Sequence, residues 1–260
     1  MRFLKDTKKY WNYSKYSAKS ILSSEVAGSY LNWLWWIFNP FCMMLIYAFI
    51  FGYVFKKTEH YFPAFIFLGL TLWDYFNRTI NKSIKIVKSN KAIVTKVYLP
   101  KFVLVQVEMM VSFVKMLFSF GVLIALLIVL RVPISYRVVY IVPIFVILSL
   151  FTFGICCIVL HFGVFVEDLS NITKILLRFI YYGTGIFYSV ETRIKNVRVR
   201  NALLHYNPLA YLIQDARKVF LYMRNPSWKW MILWTVMSLI LCWIGVRLIY
   251  KYENSYAKVV

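Results

Sequence analysis

The chain has 260 residues, of which 61% are hydrophobic and 20% aromatic, and its 31 lysines and arginines against 10 acids give a net charge of +21. Soluble domains are about 45–50% apolar and about 25% charged, whereas only 16% of this chain is charged. A soluble fold of this length cannot hide so much apolar surface, and the same composition excludes a disordered chain and a disulfide scaffold. The composition therefore predicts a membrane protein with several spans and basic flanks.

The first 32 residues predict an amphipathic helix that lies at the membrane surface. Four lysines follow one helical stripe, and aromatic side chains on the other side suit the headgroup region. The lysines are Lys5, Lys8, Lys15 and Lys19. They interrupt the start of the chain, so no apolar run of the kind found in signal peptides is expected there. A basic tail that only sets the topology is the alternative.

Six segments are apolar and long enough to cross a bilayer core of about 30 Å, which takes around 20 residues of helix. They are 33–55, 61–77, 102–130, 138–166, 170–190 and 230–246. An all-α integral membrane fold with six spans has both termini on one side. Lysine and arginine are more frequent in the connections on that side, above all in 78–101, so both termini are predicted to be cytoplasmic.

The connection 78–98 has the pattern of a short amphipathic helix. Ile80, Ile84 and Val87 share one face, while Lys82 and Lys85 share another. We expect this helix to lie parallel to the membrane on the cytoplasmic side. It either anchors the topology or offers a docking surface to a cytoplasmic partner.

The connection 191–229 is too polar to span a membrane and too regular for a loop. Its apolar residues recur at helical spacing between Leu209 and Phe220. Two half-helices that dip back into the outer leaflet fit this pattern, provided that protein shields their backbone.

Two charges inside the third predicted span, Glu108 and Lys115, each cost about 2.5–3.5 kcal/mol at a helix centre on insertion scales. Seven residues place them on one face, so each is expected to find a partner on another helix. Either they form a polar strip toward a conduit or subunit interface, or both side chains snorkel toward the membrane surfaces or form a structural bridge. Aromatic residues crowd the first and fifth spans, as an interfacial belt or as the lining of a polysaccharide path.

The sequence carries no motif for catalysis or for nucleotide binding. It has no Gly-Lys dipeptide, so a Walker A loop cannot be built, and it has no zinc-protease motif and no Gly-x-Ser-x-Gly elbow. The positive charge is explained by topology without nucleic acid. We therefore expect no catalytic residue, no metal site and no cofactor on this chain.

Four local patterns, in this order and spacing, resemble the ABC-2 permeases, and more narrowly the membrane subunit of ABC exporters of O-antigen, capsule or teichoic acid. The patterns are Gly28-Ser-Tyr-Leu-Asn-Trp-Leu-Trp-Trp-Ile-Phe-Asn-Pro40, Val97-Tyr98-Leu99-Pro100, Asp168-Leu169, and Asn207-Pro208-Leu209 followed by Arg217. The resemblance covers essentially the whole chain as one transmembrane domain, 1–260. Glu167, where the family often has arginine, and the stretch 183–188, where it often has proline, depart from it.

The resemblance implies a transporter of several subunits in the cytoplasmic membrane. Two copies of this chain would pair with two cytoplasmic ATPase subunits, which hold ATP and Mg, and an undecaprenyl-type lipid-linked glycan would pass between the copies. ATPase coupling would fall to Lys82, Ile84, Lys85, Val87, Lys88 and Lys91. The conduit would include Trp33, Trp36, Tyr47, Phe51, Glu108, Lys115, Tyr181 and Tyr182. The outer gate would include Arg193, Arg198, Asn207, Pro208 and Arg217.

Two other functions stay open at this point. An ABC-2 permease for a drug or a lipid would have the same fold and the same partner. A membrane-embedded acyl or glycosyl transferase would need polar groups that converge on one site, and Asp74, Glu108 and His161 are the candidates for it.

Overall fold

The computed structural model describes residues 2–27, 30, 32–54, 59–133 and 135–259. For residues 32 and 257–259 it describes the backbone only. Within these ranges the chain is helical and has no strand. Three expectations lie partly outside the described residues. They concern position 1 of the surface helix, positions 28, 29 and 31 of the first family pattern, and position 55 at the end of the first predicted span.

The described residues of the first half of the chain form six α-helices. They are α1 (Arg2–Lys9), α2 (Trp11–Val26), α3 (Trp35–Tyr47), α4 (Phe62–Ser89), α5 (Lys91–Lys96) and α6 (Phe102–Val129). A 3-10 turn, Asn32–Leu34, leads into α3, and a π-helix, Ala48–Val54, continues it.

Six more α-helices lie within the described part of the second half. They are α7 (Ile141–Phe165), α8 (Leu169–Gly183), α9 (Val190–Arg193), α10 (Val197–Tyr206), α11 (Pro208–Phe220) and α12 (Trp228–Val259). A 3-10 turn, Tyr136–Tyr140, precedes α7.

Four helical stretches among the described residues are long and apolar enough to cross a membrane. They are Trp35–Val54, Phe102–Val129, Tyr136–Phe165 and Trp228–Tyr256. They coincide with the first, third, fourth and sixth predicted spans. The second and fifth spans stay predictions, because the helix that contains 61–77 carries several charges and α8 has only 15 residues.

Helix α4 forms the centre of the bundle, and most of its residues are buried. It packs on α6, α7, α3 and α8. It also continues without a break from the second predicted span to Ser89, so 78–89 is not a separate amphipathic helix. The chain turns only at Asn90, and the short helix α5 follows. The apolar face seen in the sequence packs on the bundle.

Glycine allows two very close helix contacts. A Cβ at Gly163 of α7 would lie 2.3 Å from the carbonyl oxygen of Ile84 in α4. A Cβ at Gly245 of α12 would lie 2.9 Å from the carbonyl oxygen of Gly154 in α7 and 2.7 Å from Cys157 Cβ. Because only glycine fits at such distances, α4, α7 and α12 form one tightly packed unit.

The amino-terminal segment is two helices that are separated at Tyr10. Helix α2 follows the first half of α6, where Ala18 packs with Val107 and Val111. The expected surface helix is therefore held against a span along its length.

Helices α10 and α11 occupy the segment that was expected to form two half-helices. No residue of α10 is buried. Nearly all of α11 is buried, because it contacts α4, α7 and the turn before α7.

Candidate functional site

A groove runs between α3, α4 and α8, and we call it the lateral groove. Its two connected cavities measure about 510 and 440 Å³ and share Asp74, Asn77 and Asn81 of α4. Helix α8 contributes Lys174, Leu177, Arg178, Tyr181 and Tyr182, and α3 contributes Asn39, Met43 and Tyr47. Helical periodicity explains these sets, since residues three, four, seven and eight positions apart share one face.

One end of the lateral groove is aromatic. The Tyr181 hydroxyl donates to the Tyr47 hydroxyl at 3.2 Å, and the Tyr181 ring lies 5.1 Å from Trp73 and 5.2 Å from Phe187. Tyr182 lies 5.4 Å from Tyr181, almost edge to face. Such aromatic pairs contribute about 0.5–1.5 kcal/mol beyond their buried area. The π-helix after Tyr47 adjoins this end, and π-helical turns are frequent at functional sites.

The floor of the groove is a polar stripe on α4. Asn81 Nδ2 donates to the Asn77 carbonyl oxygen at 2.8 Å and to Asn77 Oδ1 at 2.9 Å. The buried Asn81 Oδ1 accepts no hydrogen bond from the described residues. Arg78 and Lys82 continue the stripe toward Asn39. The groove thus combines aromatic faces with amide and charged groups, which is the lining that a hydroxylated ligand requires.

Among the predicted conduit residues, Tyr47, Tyr181 and Tyr182 line this groove. Phe51 lies behind them and stacks on Phe187 with the ring centroids 5.1 Å apart. The two tryptophans lie elsewhere: Trp33 and Trp36 pack on Phe118 of α6, at 5.7 and 5.5 Å.

Glu108 and Lys115 do not line the groove either. Lys115 Nζ forms an ion pair with Glu25 of α2 and lies 5.5 Å from the centre of the Trp36 ring. Glu108 is buried in α6, which packs on α4. For Lys115 the structure favours the bridge over the conduit wall.

The predicted gate residues have structural contacts. Arg217 is 1% exposed and donates to the carbonyl oxygens of Phe65 at 3.1 Å, Gly185 at 2.9 Å and Ile186 at 2.7 Å. Asn207 caps α11, since its Oδ1 accepts from the backbone nitrogens of residues 209 and 210. Arg217 thereby joins α11 to α4 and to the loop after α8.

The remaining gate residues differ from these two. Pro208 is the first residue of α11, where a proline loses no helical hydrogen bond. Arg193 Nε lies 3.5 Å from Glu59 Oε1. Arg198, in the first turn of α10, is exposed.

The predicted coupling residues divide into two groups. Ile84 and Val87 are 3% and 1% exposed, because they face the core, so they offer no docking surface in this structure. Lys88 Nζ pairs with Glu167 Oε1 at 3.3 Å. The exposed cations are Lys82, Lys85 and Lys91, and Lys82 lines the lateral groove.

A second cluster joins the two ends of the chain to the segment after α5, and we call it the terminal cluster. Its residues include Arg2, Tyr98, Lys101 and Glu253. A cavity of about 250 Å³ separates α5 from the end of α12 at this point. Burial, together with Glu253, raises the pKa of Tyr98, and burial lowers the pKa of Lys101. Both chain ends therefore lie at the same end of the bundle.

Sequence reasoning missed most of the groove floor. Trp73, Asn77 and Asn81 were not among the expected site residues, and Asp74 entered only as a candidate for a transferase. The available signal was the run of polar residues at positions 74, 77, 78, 81 and 82, which share one face of a helix that begins apolar.

Known proteins with similar sequences cover most of the chain. An O-antigen export system permease protein RfbA of Myxococcus xanthus is 25% identical over 238 residues, which are 91% of each chain. Two proteins of the same name from Klebsiella pneumoniae are 26% and 25% identical over 234 and 232 residues, or 89% of this chain and 88% of theirs. No family model matches the chain.

Proposed function

We propose that this homologue of O-antigen export permeases is the membrane subunit of an ATP-driven exporter that moves a lipid-linked polysaccharide across the cytoplasmic membrane. The observation that carries the proposal is the lateral groove, in a chain whose relatives match it over about nine tenths of its length. The resemblance seen in the sequence points the same way.

The lining of the groove suits a sugar polymer. Hydroxyl groups that enter hydrocarbon without a hydrogen bond each cost several kcal/mol. Asn77 and Asn81 offer donors and acceptors, and Trp73, Tyr181 and Tyr182 offer ring faces for the C–H sides of sugars. A polymer that enters the groove would lose its contacts with water and would gain contacts with these side chains.

A second copy of the chain would complete the conduit. One face of α8 exposes a row of large apolar side chains at helical spacing, and α3 exposes others beside it. The row comprises Ile172, Ile175, Leu176, Phe179 and Tyr182, with exposures of 49% to 79%. In a six-span subunit, part of this apolar face would contact lipid and part of it would contact the second copy.

Energy would come from two cytoplasmic ATPase subunits. The chain has no Walker A pattern. The docking surface would lie around α5 and the exposed cations Lys85 and Lys91, at the same end of the bundle as both termini.

The transferase alternative is not supported by the packing of its three candidates. Asp74 lines the lateral groove, and Glu108 lies in α6 behind it. His161 of α7 instead contacts the Tyr256 hydroxyl at 2.8 Å. His161 therefore lies apart from the other two candidates, and no cavity among the described residues is lined by all three.

The test is deletion of the gene for this chain in its native cell, followed by complementation. The complementing genes encode the wild type or the double variant Trp73→Ala, Tyr182→Ala. We expect the surface polysaccharide to disappear on deletion, to return with the wild type and to stay strongly reduced with the variant. Purification of the tagged chain should bring an ATPase with it. Unchanged surface polysaccharide in the deletion strain, together with loss of drug resistance or of a surface lipid, would support the other class of ABC-2 permease.

A further inference from the structure

Three lysine or arginine side chains are buried among the described residues, and one of them lacks a polar partner. Arg217 donates to three carbonyl oxygens, and Lys115 pairs with Glu25. Lys101 is 4% exposed, yet its ammonium has no hydrogen bond to a described residue and no described carboxylate within 4 Å. A buried charge without a partner is unfavourable. The site around Lys101 is therefore incomplete in the isolated chain.

Lys101 lines the cavity of the terminal cluster, which measures about 250 Å³. The walls of this cavity are the end of α5, the segment that follows α5, and residues 253 and 254 of α12. Thr95, Lys96 and Asn254 of the lining are exposed, so the cavity opens to the surface. The space admits one side chain from outside but no polymer.

The described lining of this cavity contains one acid, Glu253, whose oxygens are already bonded. Its Oε1 accepts from Arg2 Nη2 at 3.0 Å, and its Oε2 accepts from the Tyr98 hydroxyl at 3.2 Å. Arg2 also balances the charge of Glu253. Lys96 and Lys101 therefore leave the cavity with an excess of positive charge, which an incoming carboxylate would neutralise.

The rim of the cavity is apolar and exposed. Val97 and Tyr98 are 57% and 56% exposed. They belong to the segment between α5 and α6, which is extended at Val97. Apolar contacts that exclude water around a central buried group are typical of the centre of a protein interface. The rim thus has the composition of a surface that another protein covers.

The position along α12 favours a protein as the occupant over a lipid tail. Glu253 lies seven residues beyond Val246, where the sixth predicted span ends, and this is about 10 Å along the helix axis. The predicted span therefore places the cavity outside the hydrocarbon core.

We propose that the cavity beside Lys101 receives an acidic side chain of the cytoplasmic ATPase subunit, whose carboxylate pairs with the Lys101 ammonium while the ATPase covers Val97 and Tyr98. The inference rests on the proposed function, which supplies the ATPase and the cytoplasmic side. It adds a buried contact to the exposed cations Lys85 and Lys91. A lipid headgroup is the competing occupant, and the experiments below distinguish the two.

The direct test is zero-length cross-linking of the purified complex of the full chain with its ATPase in detergent. A carbodiimide activates a carboxylate, which then forms an amide with an amine in contact with it. We expect mass spectrometry to find Lys101 joined to one aspartate or glutamate of the ATPase. Lys101→Arg is the control, because its guanidinium keeps the charge but forms no such amide. A link from Lys101 only to Glu253 of the same chain, or no link from Lys101, would overturn the proposal.

Dissociation rates measure the contribution of the contact. Lys101→Met should release the ATPase about tenfold faster or more, since the loss of one partner of a buried ion pair acts mainly on dissociation. Lys101→Arg should stay within about threefold of the wild type. Lys251→Met is the matched control, because it removes the charge of an exposed lysine at the same end of α12, and it should change the rate by no more than about twofold. An unchanged rate in Lys101→Met, or an equal acceleration in the control, would contradict the site.

Thermal unfolding of the chain without ATPase separates binding from a structural role. Lys101→Met should have a higher Tm than the wild type at pH 7, because the variant buries no unpaired charge. The lowered pKa of Lys101, which burial causes, agrees with this direction. Faster release of the ATPase by a more stable chain would support the proposed contact. Faster release together with a lower Tm would assign the effect to damage of the fold and would overturn the proposal.

Two further outcomes separate this inference from its alternatives. If Lys101→Met reduces the phospholipid phosphorus bound to the purified chain but keeps the ATPase, the occupant is a lipid headgroup and the proposal is wrong. If the variant leaves ATPase release unchanged while surface polysaccharide still depends on the chain, the cavity contact is wrong and the proposed function stands. If no ATPase accompanies the wild type and deletion leaves the polysaccharide intact, both are wrong.

Discussion

Arg2 and Glu253 are 251 positions apart in the chain, yet Nη2 of the arginine donates to Oε1 of the glutamate at 3.0 Å. The guanidinium of Arg2 also lies 4.4 Å from the centre of the Tyr250 ring, and the Tyr98 hydroxyl donates to Glu253 Oε2 at 3.2 Å. The first helix, the last helix and the segment after α5 are thus joined through one carboxylate.

Glu253→Gln should loosen α1 and leave the bundle folded. The Arg2 side chain is 56% exposed, so the global loss should be no more than about 1 kcal/mol. Hydrogen exchange in Arg2–Lys9 should become faster, because the charge that holds this helix is gone. Glu167→Gln, which breaks the exposed pair with Lys88, is the control and should leave exchange in α1 unchanged. Equal exchange in both variants would show that the terminal cluster does not hold α1.

Glu25→Gln should destabilise the chain by about 1–3 kcal/mol, because it leaves the Lys115 ammonium without its carboxylate. The Lys115 side chain is only 9% exposed, whereas that of Glu25 is 30% exposed. The double variant Glu25→Gln, Lys115→Met should regain most of the loss, since it removes the uncompensated charge. Thermal unfolding in detergent measures both. A double variant less stable than the single would mean that Lys115 has a second essential partner.

Gly163→Ala should prevent folding or shift α7 away from α4, because its Cβ would lie 2.3 Å from a backbone oxygen. Gly121→Ala in α6 is the matched control, since its Cβ meets nothing within 4 Å. The control should be neutral or stabilising by up to about 1 kcal/mol, as expected for alanine in a helix. Yield and gel-filtration profile after extraction compare the two. A well-folded Gly163→Ala variant would show that α4 and α7 are farther apart.

Lys101 gives a prediction on pH. Burial lowers its pKa in the folded chain, so the charged form opposes folding below that pKa, and the penalty fades as the pH rises through it. Lys101→Met should therefore raise Tm at pH 7 by about 2–4 °C, on the scale of 1 kcal/mol for a chain of this size. The advantage over the wild type should shrink toward pH 10. An advantage that is constant from pH 7 to 10 would assign the effect to packing.

Tyr181→Ala should lower export, whereas Tyr181→Phe should retain it. Alanine removes ring contacts with Trp73 and Phe187, each worth about 0.5–1.5 kcal/mol. Phenylalanine loses only the hydrogen bond to Tyr47. The rate at which surface polysaccharide returns after induction, corrected for the amount of permease, separates the two. Equal rates in both variants would mean that the ring does not touch the cargo.

The sequence predicts the helical class and four of the spans, because both follow from local composition. The cytoplasmic placement of the termini stays a prediction. The sequence also places Tyr47, Tyr181 and Tyr182 in the site, since aromatic residues crowd these helices. It does not reveal that Arg217 bonds to three carbonyl oxygens or that Lys115 pairs with Glu25. Those contacts depend on distant backbone, and a single chain carries no local pattern for them.

The burial of Ile84 and Val87 could not be predicted from the sequence for the same reason. An amphipathic stripe shows which face is apolar but not what covers it. Here the face packs on the bundle, where Gly163 lets α7 approach the backbone of Ile84 closely. The apolar face whose pattern suited a partner protein is therefore already covered by other residues of the same chain.

The two walls of the lateral groove are held very differently. Helix α4 packs closely on α7 at Gly163, and α7 packs closely on α12 at Gly154 and Gly245, whereas α8 buries only Ser170, Thr173 and Leu177. Helix α8 is therefore the wall of the groove that is held by fewer buried side chains. If the proposed cargo passes here, a change in groove width would begin at α8 and would leave the contacts among α4, α7 and α12 unchanged.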